Sequence, residues 1–381
     1  MFEILKDVLV IELSAFVAGP LSGLILGQLG ANVIRIDPTD EPIDFKRFPI
    51  DKKGNSYYWA ELNKGKKSLI INYKLPEGLR AIENIVSKNK NVIFITNLEL
   101  PSELSYKSLV KLNKDITYLD IKGSPNKKEV DYTISAQSGI PFINGKCNEP
   151  INNVFPSWDS IAGCLGALSV IVVFLNTKTK IKSKYIKLTL LDTCFWMLGN
   201  LGFIGEHYQK DTNREPTDNF IYGTFGKDFT TKDNIKVFVI CLTLRQWTNL
   251  VDVLDLKDDI YKCEKTLKLN FKIQAHLYYA RYELYEVIHN KIKTIKYKLL
   301  KNIFNDNDVL WSKYNTVNEF VNENPFCNLD NPIFSEIKHD NLNEYISADI
   351  PFNILNIPRI KNNPIQNIDN NESEINFKFK L

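Results

Sequence analysis

The chain has 381 residues, 44% of them hydrophobic and 24% charged, the composition of a folded globular protein with more chain than one domain of roughly 100–200 residues needs. Its 48 basic and 45 acidic residues leave a net charge of +3 with no long basic run, which argues against a nucleic-acid partner and makes any anion site local. Six cysteines without a CxxC pair and four histidines without metal-ligand spacing argue against a disulfide framework and a zinc site, leaving a reduced, cytoplasmic, metal-free protein as the expectation.

The opening MFEILKDVLVIELSAF lacks the basic start, apolar middle and small-residue cleavage site of a signal peptide, so it is expected to begin the fold directly. VLVIEL then reads as a buried strand, SAFVAGPLSGLILGQLGA as a turn and helix, and NVIRID as the next strand. Pro20 suits a first helical turn and Gly30 a helix stop. The alternation continues with SLIINY, the helix LPEGLRAIENIVSKNK, NVIFIT, a short helix at 106–112 and ITYLDI. Strands separated by single helices predict a parallel sheet covered on both faces.

After a loop-rich stretch, residues 159–177 read as a helix, KYIKLTL as a strand and DTCFWMLGNLGFIGEHY as one helix. The apolar run 161–175 is shorter than the roughly 20 residues of a spanning helix and carries Gly163, Gly166 and Ser169, so a buried helix in close contact with neighbours is predicted. A turn-rich connector near 210–225 is the candidate domain boundary. Strand KVFVICL, helix LRQWTNLVDVL, a helical stretch at 275–305 and an irregular, Asn-rich segment with short strands from about 325 complete the chain.

Three features bear on chemistry. The turn SAFVAGPLSG suggests dinucleotide binding, but GxGxxG is absent because Gly19 and Gly23 are separated by three residues. NKGKKS at 63–68 lacks the first glycine and the following helix of a phosphate loop, and its lysines read either as a solvated edge or as a phosphate cluster with Arg35 and Lys74. Asp159 in NVFPSWDSIAGCLGALSVIVVFL is the one charge at the lip of an apolar helix. It reads either as the helix N-cap or as a desolvated nucleophile, kept ionised by the positive helix end.

Taken in order, VLVIELSAFVAGPLSGLILGQLGANVIRIDP, LNKGKKSLIINYKLPEG, FITNL, VDYTISAQSG, the WDS helix start and LTLLD resemble the family III CoA-transferases, a group that includes α-methylacyl-CoA racemases. The segments IDFKRFP, YYWAELNKGKKS, FPSWDS, NFIYGTFGKDF, LTLRQW and CNLDNPIF resemble the branch in which CoA moves between two carboxyls of one branched, unsaturated diacid. The resemblance implies that Asp159 attacks the thioester, forming a mixed anhydride and then an enzyme–CoA thioester. It implies CoA contacts at Phe16, Val17, Ala18, Lys74, Asn97 and Lys122. Pro38 stands where the family's strand-two arginine is usual, and Arg35 with the lysine cluster is expected to compensate.

An anhydride survives only where water is excluded, for which Phe155, Trp158 and Tyr132 are expected to serve. Gly139 and the backbone of 16–18 are candidate oxyanion donors, and Arg47 or Lys46 a partner for a substrate carboxylate. Racemases of the family carry a His where this chain has Val130, so proton exchange lacks its imidazole partner. The resemblance further implies a Rossmann-like open parallel sheet in an α/β large domain (1–205), a smaller α/β domain (225–315) and a C-terminal return (316–381). It also implies an interlocked homodimer acting on an acyl-CoA, with no membrane partner and no cofactor beyond the CoA of the substrate. Alternatives are intermolecular CoA transfer, racemization and a non-catalytic acyl-CoA binder.

Overall fold

A computed structural model describes residues 2–40, 42–146, 149–175, 184–210, 214–361 and 363–368; Cys147 and most of the last fifteen residues, expected to be poorly ordered, lie outside them. The chain opens with β1 (Leu9–Leu13), α1 (Ala18–Gln28), β2 (Asn32–Asp37), α2 (Tyr57–Asn63), β3 (Lys67–Ile70), α3 (Pro76–Lys88) and β4 (Val92–Thr96). It continues with α4 (Tyr106–Leu112), β5 (Thr117–Lys122), α5 (Asp131–Gln137), α6 (Ile140–Asn144), α7 (Ser157–Leu175), β6 (Tyr185–Thr189), α8 (Leu190–Asn200) and α9 (Phe203–Lys210). Then come β7 (Phe225–Thr230), β8 (Lys236–Cys241), α10 (Leu244–Val253), α11 (Lys257–Leu267), α12 (Gln274–Tyr279), α13 (Arg281–Ile292), α14 (Tyr297–Asp306), β9 (Leu310–Lys313) and α15 (Val317–Glu323). The short strands β10 (Phe334–Ile337), β11 (Tyr345–Ala348) and β12 (Gln366–Ile368) follow.

Two compact units divide the chain. The first comprises Met1–Ser138, Asn153–Asp211 and Pro325–Leu381. Its sheet runs β12-β3-β2-β1-β4-β5-β6, every pair parallel. The order 3-2-1-4-5-6 within it is that of the Rossmann fold, which opens a crevice at the carboxyl ends of β1 and β4, where the strand order reverses. β1 and β4 are buried throughout, because helices cover both faces of a parallel sheet.

Small residues let α7 approach α1 closely. A Cβ on Gly163 would lie 2.8 Å from Leu21 Cδ2, and one on Gly166 2.5 Å from Ser22 Oγ. The Ser22 hydroxyl donates to the Gly163 carbonyl at 2.9 Å, tying the two helices together. By length and composition α7 could cross a membrane. Its inner face packs on α1, but Leu168, Val172 and Leu175 are exposed, so it is buried on one side and not all round as the apolar run suggested.

The second unit comprises Gly139–Asn152 and Thr212–Asn324. An antiparallel sheet β7-β8-β9 packs Phe225, Phe229, Val237 and Val239 against Trp247, Leu284, Leu300 and Phe304 from its helices. The segment Gly139–Asn152 falls here, although the sequence reading ran the first part unbroken to residue 205. Thr217 accounts for this, since both its backbone N–H and its hydroxyl donate to the Ile143 carbonyl. Three local expectations also change. The connector contains β7, paired antiparallel with β8. The helix over 192–208 breaks into α8 and α9 at Gly202, whose φ of 82° is left-handed and unsuited to a helix interior. The stretch 275–305 is three helices, α12 to α14.

Candidate active site

Asp159 is the third residue of α7 and not its cap. The carboxylate that caps this helix comes from Asp131 at the start of α5: its Oδ2 accepts the backbone N–H of Trp158 at 2.6 Å and of Asp159 at 3.0 Å. These are donors that a helix leaves unpaired in its first turn, and Asp131 satisfies them across 27–28 residues of sequence. The Asp159 carboxylate is thereby released from capping and accepts the Ala18 backbone N–H at the start of α1.

Burial pushes the Asp159 carboxyl up to about 6, with the Asp131 charge adding to the rise and Arg47 and the Ala18 N–H opposing it. The helix end therefore does not hold its pKa low, as the sequence suggested. It remains below neutrality, so at pH 7 the ionised form exceeds the acid by about ten to one. A poorly solvated, ionised carboxylate is a suitable nucleophile.

A cavity of about 200 Å³ opens in front of it, lined among others by Phe16, Ala18, Arg47, Asn97, Lys122, Tyr132 and Asp159. That is smaller than the roughly 300–1,000 Å³ of pockets that enclose drug-sized ligands, and of the order of a small acyl group. Elements far apart in sequence meet here because the loops after β1 and β4 end at the sheet's switch point.

The loop before α1 is held at two points. Asn97, after β4, donates to the Ala15 carbonyl at 2.7 Å and accepts the Ala15 N–H at 2.9 Å. Asp44 accepts the Phe16 N–H at 2.7 Å. Phe16 sits at φ 63°, a strained conformation for a phenylalanine that its surroundings must enforce. Asn97 thus positions the loop, with both ends of its amide engaged, and the Phe16 N–H is already taken.

Of the other expected residues, Lys122 lines the cavity with its Nζ donating to the Leu98 carbonyl at 2.8 Å and 3.1 Å from Asp120. Val17 is buried at the start of α1 and is not among the cavity-lining residues. Lys74 is exposed between β3 and α3, outside the cavity. Gly139 belongs to the second unit, at φ 81°. Of the three residues expected to exclude water, Tyr132 lines the cavity, Trp158 is buried next to Asp159 in sequence and Phe155 is exposed.

Arg35 does not reach the cavity. It is buried in the sheet, 2.8 Å from Asp37 and 3.0 Å from Glu12. Lys66 completes this network, donating to Glu12, Asn63 and the Pro20 carbonyl. Lys64 is held by Glu61 and Ser347. Lys64 and Lys66 are therefore taken up in two separate ion-pair sites, because an unpaired charge cannot be buried cheaply, and neither lines the cavity.

Asp44 and Tyr58 were missed by the sequence reading. Asp44 lies 3.8 Å from Arg47, and the Arg47 guanidinium carbon is 4.8 Å from the Phe16 ring centroid and 5.1 Å from that of Tyr58. The spacing of Asp44 and Arg47 in IDFKRFP was a signal for the first; no local pattern marked Tyr58. Among the described residues, no group of three or more His, Cys, Asp or Glu side chains could hold a metal ion.

Residues 5–365 match the family model described as CoA-transferase family III. The chain is 33% identical to the 2-methylfumaryl-CoA isomerase of Chloroflexus aurantiacus over 98% of its own length and 93% of the relative's. It is 23% identical to the succinyl-CoA:mesaconate CoA-transferase of Haloarcula marismortui, over 56% of this chain and 59% of that one. Its fold is that of a CAIB/BAIF family protein from Brucella suis, with a TM-score of 0.75 at 20% identity over 99% of both chains.

Proposed function

Since the chain belongs to CoA-transferase family III, we propose that it moves CoA between the two carboxyl groups of 2-methylfumaryl-CoA, with Asp159 as the nucleophile. The observation that carries this reading is an uncapped, poorly solvated carboxylate facing an acyl-sized cavity that also holds Arg47. The named activity of the Chloroflexus relative, similar over almost the whole chain, supports the choice of substrate.

The Asp159 carboxylate attacks the thioester carbonyl. The C–S bond breaks, CoA leaves as its thiolate and a mixed anhydride joins the acyl group to Asp159. The thiolate then attacks the Asp159 carbonyl carbon, expelling the acid as a carboxylate and leaving CoA on the enzyme as a thioester. The diacid presents its other carboxylate and the steps reverse. Covalent catalysis divides one difficult exchange into easier ones. The Ala18 N–H, already directed at Asp159, is placed to stabilise the oxyanion formed when the thiolate attacks there.

Adding 2-methylfumaryl-CoA alone tests the reading. The wild type should yield the isomeric thioester and carry a CoA-sized mass on Asp159, while Asp159→Asn should do neither; an active Asn variant would overturn the nucleophile assignment. Intermolecular transfer, the activity named for the Haloarcula relative, predicts product only when a second acid is present. Racemization is disfavoured by Val130, which lines the cavity where an imidazole would be needed. The reading includes a homodimer, supported by the exposed apolar side chains Leu168, Val172 and Leu175 on α7 and Phe195 and Trp196 on the neighbouring α8. The five described cysteines are free thiols, which fits a cytoplasmic setting.

A further inference from the structure

The cavity wall carries two cations and three carboxylates: Arg47, Lys122, Glu129, Asp131 and Asp159. Three of them are engaged within the protein. Lys122 donates to the Leu98 carbonyl and lies 3.1 Å from Asp120. Glu129 accepts from Lys127 and Gln137, each at 3.0 Å, and Asp131 caps α7. The two charges that remain for a ligand are Asp159 and Arg47.

The Arg47 guanidinium is held in place without being hydrogen-bonded. Its carbon lies 4.8 Å from the Phe16 ring centroid and 5.1 Å from that of Tyr58. Asp44 is 3.8 Å away, farther than a hydrogen bond reaches, and Asp44 Oδ1 has no hydrogen-bond partner among the described residues. The guanidinium donates no hydrogen bond to any described residue, although its five N–H donors form a planar fork that matches a carboxylate. Arg47 lines the cavity and 32% of its side chain is exposed, so a ligand in the cavity can reach those donors.

We propose that Arg47 is a specificity-determining residue: its guanidinium pairs with the second carboxylate of a dicarboxylic acyl group while the first is joined to Asp159, and it holds the freed diacid until the other end reacts. This rests on the proposed transfer and deepens it. As Asp159 bonds to the acyl carbon, the C–S bond breaks and its electron pair leaves on the CoA sulfur. Asp159 gives up its negative charge to the anhydride, and Arg47 no longer shares the cavity with that charge. A charge left unpaired in a poorly solvated site is costly. A second carboxylate on the acyl group restores the balance, and a monocarboxylic acyl group cannot. When the thiolate attacks the Asp159 carbonyl, the anhydride C–O bond breaks with its electron pair on the acid, and Asp159 is again uncharged, now as a thioester. The released diacid bears two carboxylates and meets one cation with free donors. Isomerisation requires its two ends to exchange places at Arg47 before the diacid leaves.

The test is Arg47→Gln, which removes the charge, beside Arg47→Lys, which keeps it as the conservative rescue; should Arg47→Gln fail to fold in a thermal melt, Arg47→Met takes its place. Each enzyme is mixed with 2-methylfumaryl-CoA or with 2-methyl-2-butenoyl-CoA, which lacks the second carboxylate, and the CoA-sized mass on Asp159 is followed over time. The wild type should form it at least tenfold faster from the diacid thioester. Arg47→Gln should lower that ratio about tenfold and Arg47→Lys should retain most of it. With an excess of ¹³C-labelled 2-methylfumarate present, the wild type should yield almost unlabelled product and Arg47→Gln should raise the labelled fraction about tenfold. A folded, uncharged variant that keeps the wild-type ratio overturns Arg47 as the specificity determinant, and one that still excludes label overturns its hold on the diacid. A wild type that forms the adduct equally fast from both thioesters overturns the inference whatever the variants do. A wild type that forms no adduct on Asp159 from either overturns the transfer reading instead, and the inference with it.

Discussion

At the scale of single residues, two carboxylates divide the work at the start of α7. Asp131 satisfies the helix donors and Asp159 faces the cavity. Because burial raises the folded-state pKa of Asp159 from 3.8 to about 6, folding favours its acid form; this contribution is complete below about pH 4 and is lost as pH rises through 6. Asp159→Asn should therefore stabilise the protein by roughly 1–3 kcal/mol at pH 7, and the gain should vanish toward pH 4, as followed by thermal melts across pH. In the active enzyme, kcat/KM should fall on the acid side with a midpoint near 6, where Asp159 is protonated. Asp131→Asn removes a like charge while keeping an acceptor for the helix, so it should shift that midpoint to lower pH. Asp131→Ala leaves two N–H donors unpaired and should cost about 2–3 kcal/mol, measured by urea unfolding. Asp159 could be identified from its place at the lip of the apolar run, but its freedom from capping could not, since the real cap lies in another helix.

At the scale of elements, glycine sets how closely α1 approaches the sheet and α7. A Cβ on Gly23 would lie 1.8 Å from Glu12 Oε2 and 3.5 Å from Lys66 Nζ, inside the buried network of Glu12, Arg35, Asp37 and Lys66. Gly23→Ala should force that network apart and cost ~3 kcal/mol or more. Gly205→Ala is the control: nothing lies within 4 Å of its Cβ position in α9, so better helix propensity should raise stability by up to ~1 kcal/mol. Comparing urea midpoints checks both. The regular elements were legible where patterning was strong: NVIRID and the helix at 106–112 match β2 and α4 to the residue. The hairpin strand β7 was not, because its FGKDFT sequence looks like part of a loop until β8 pairs with it.

At the scale of the whole molecule, the exposed apolar side chains of α7 and α8 lead to a prediction of assembly. Surfaces of this kind are uncommon on proteins that act alone, so light scattering should give twice the mass of one chain. Leu168→Asp combined with Trp196→Asp should shift the protein toward monomer; a wild type that is monomeric at micromolar concentration would remove the dimer from the reading. By itself the sequence determined most of the succession of strands and helices and the parallel sheet, and it singled out Asp159 as a candidate, because hydrophobic periodicity, turn residues and an isolated charge act over a few neighbouring positions. Only the tertiary structure decided that Arg35, Lys64 and Lys66 are consumed in buried ion pairs, that Asn97 and Asp44 hold a strained loop, and that Tyr58 stands beside Arg47. Those outcomes depend on which distant side chain shares a site from which water is excluded, and pairing of that kind leaves no trace in local spacing.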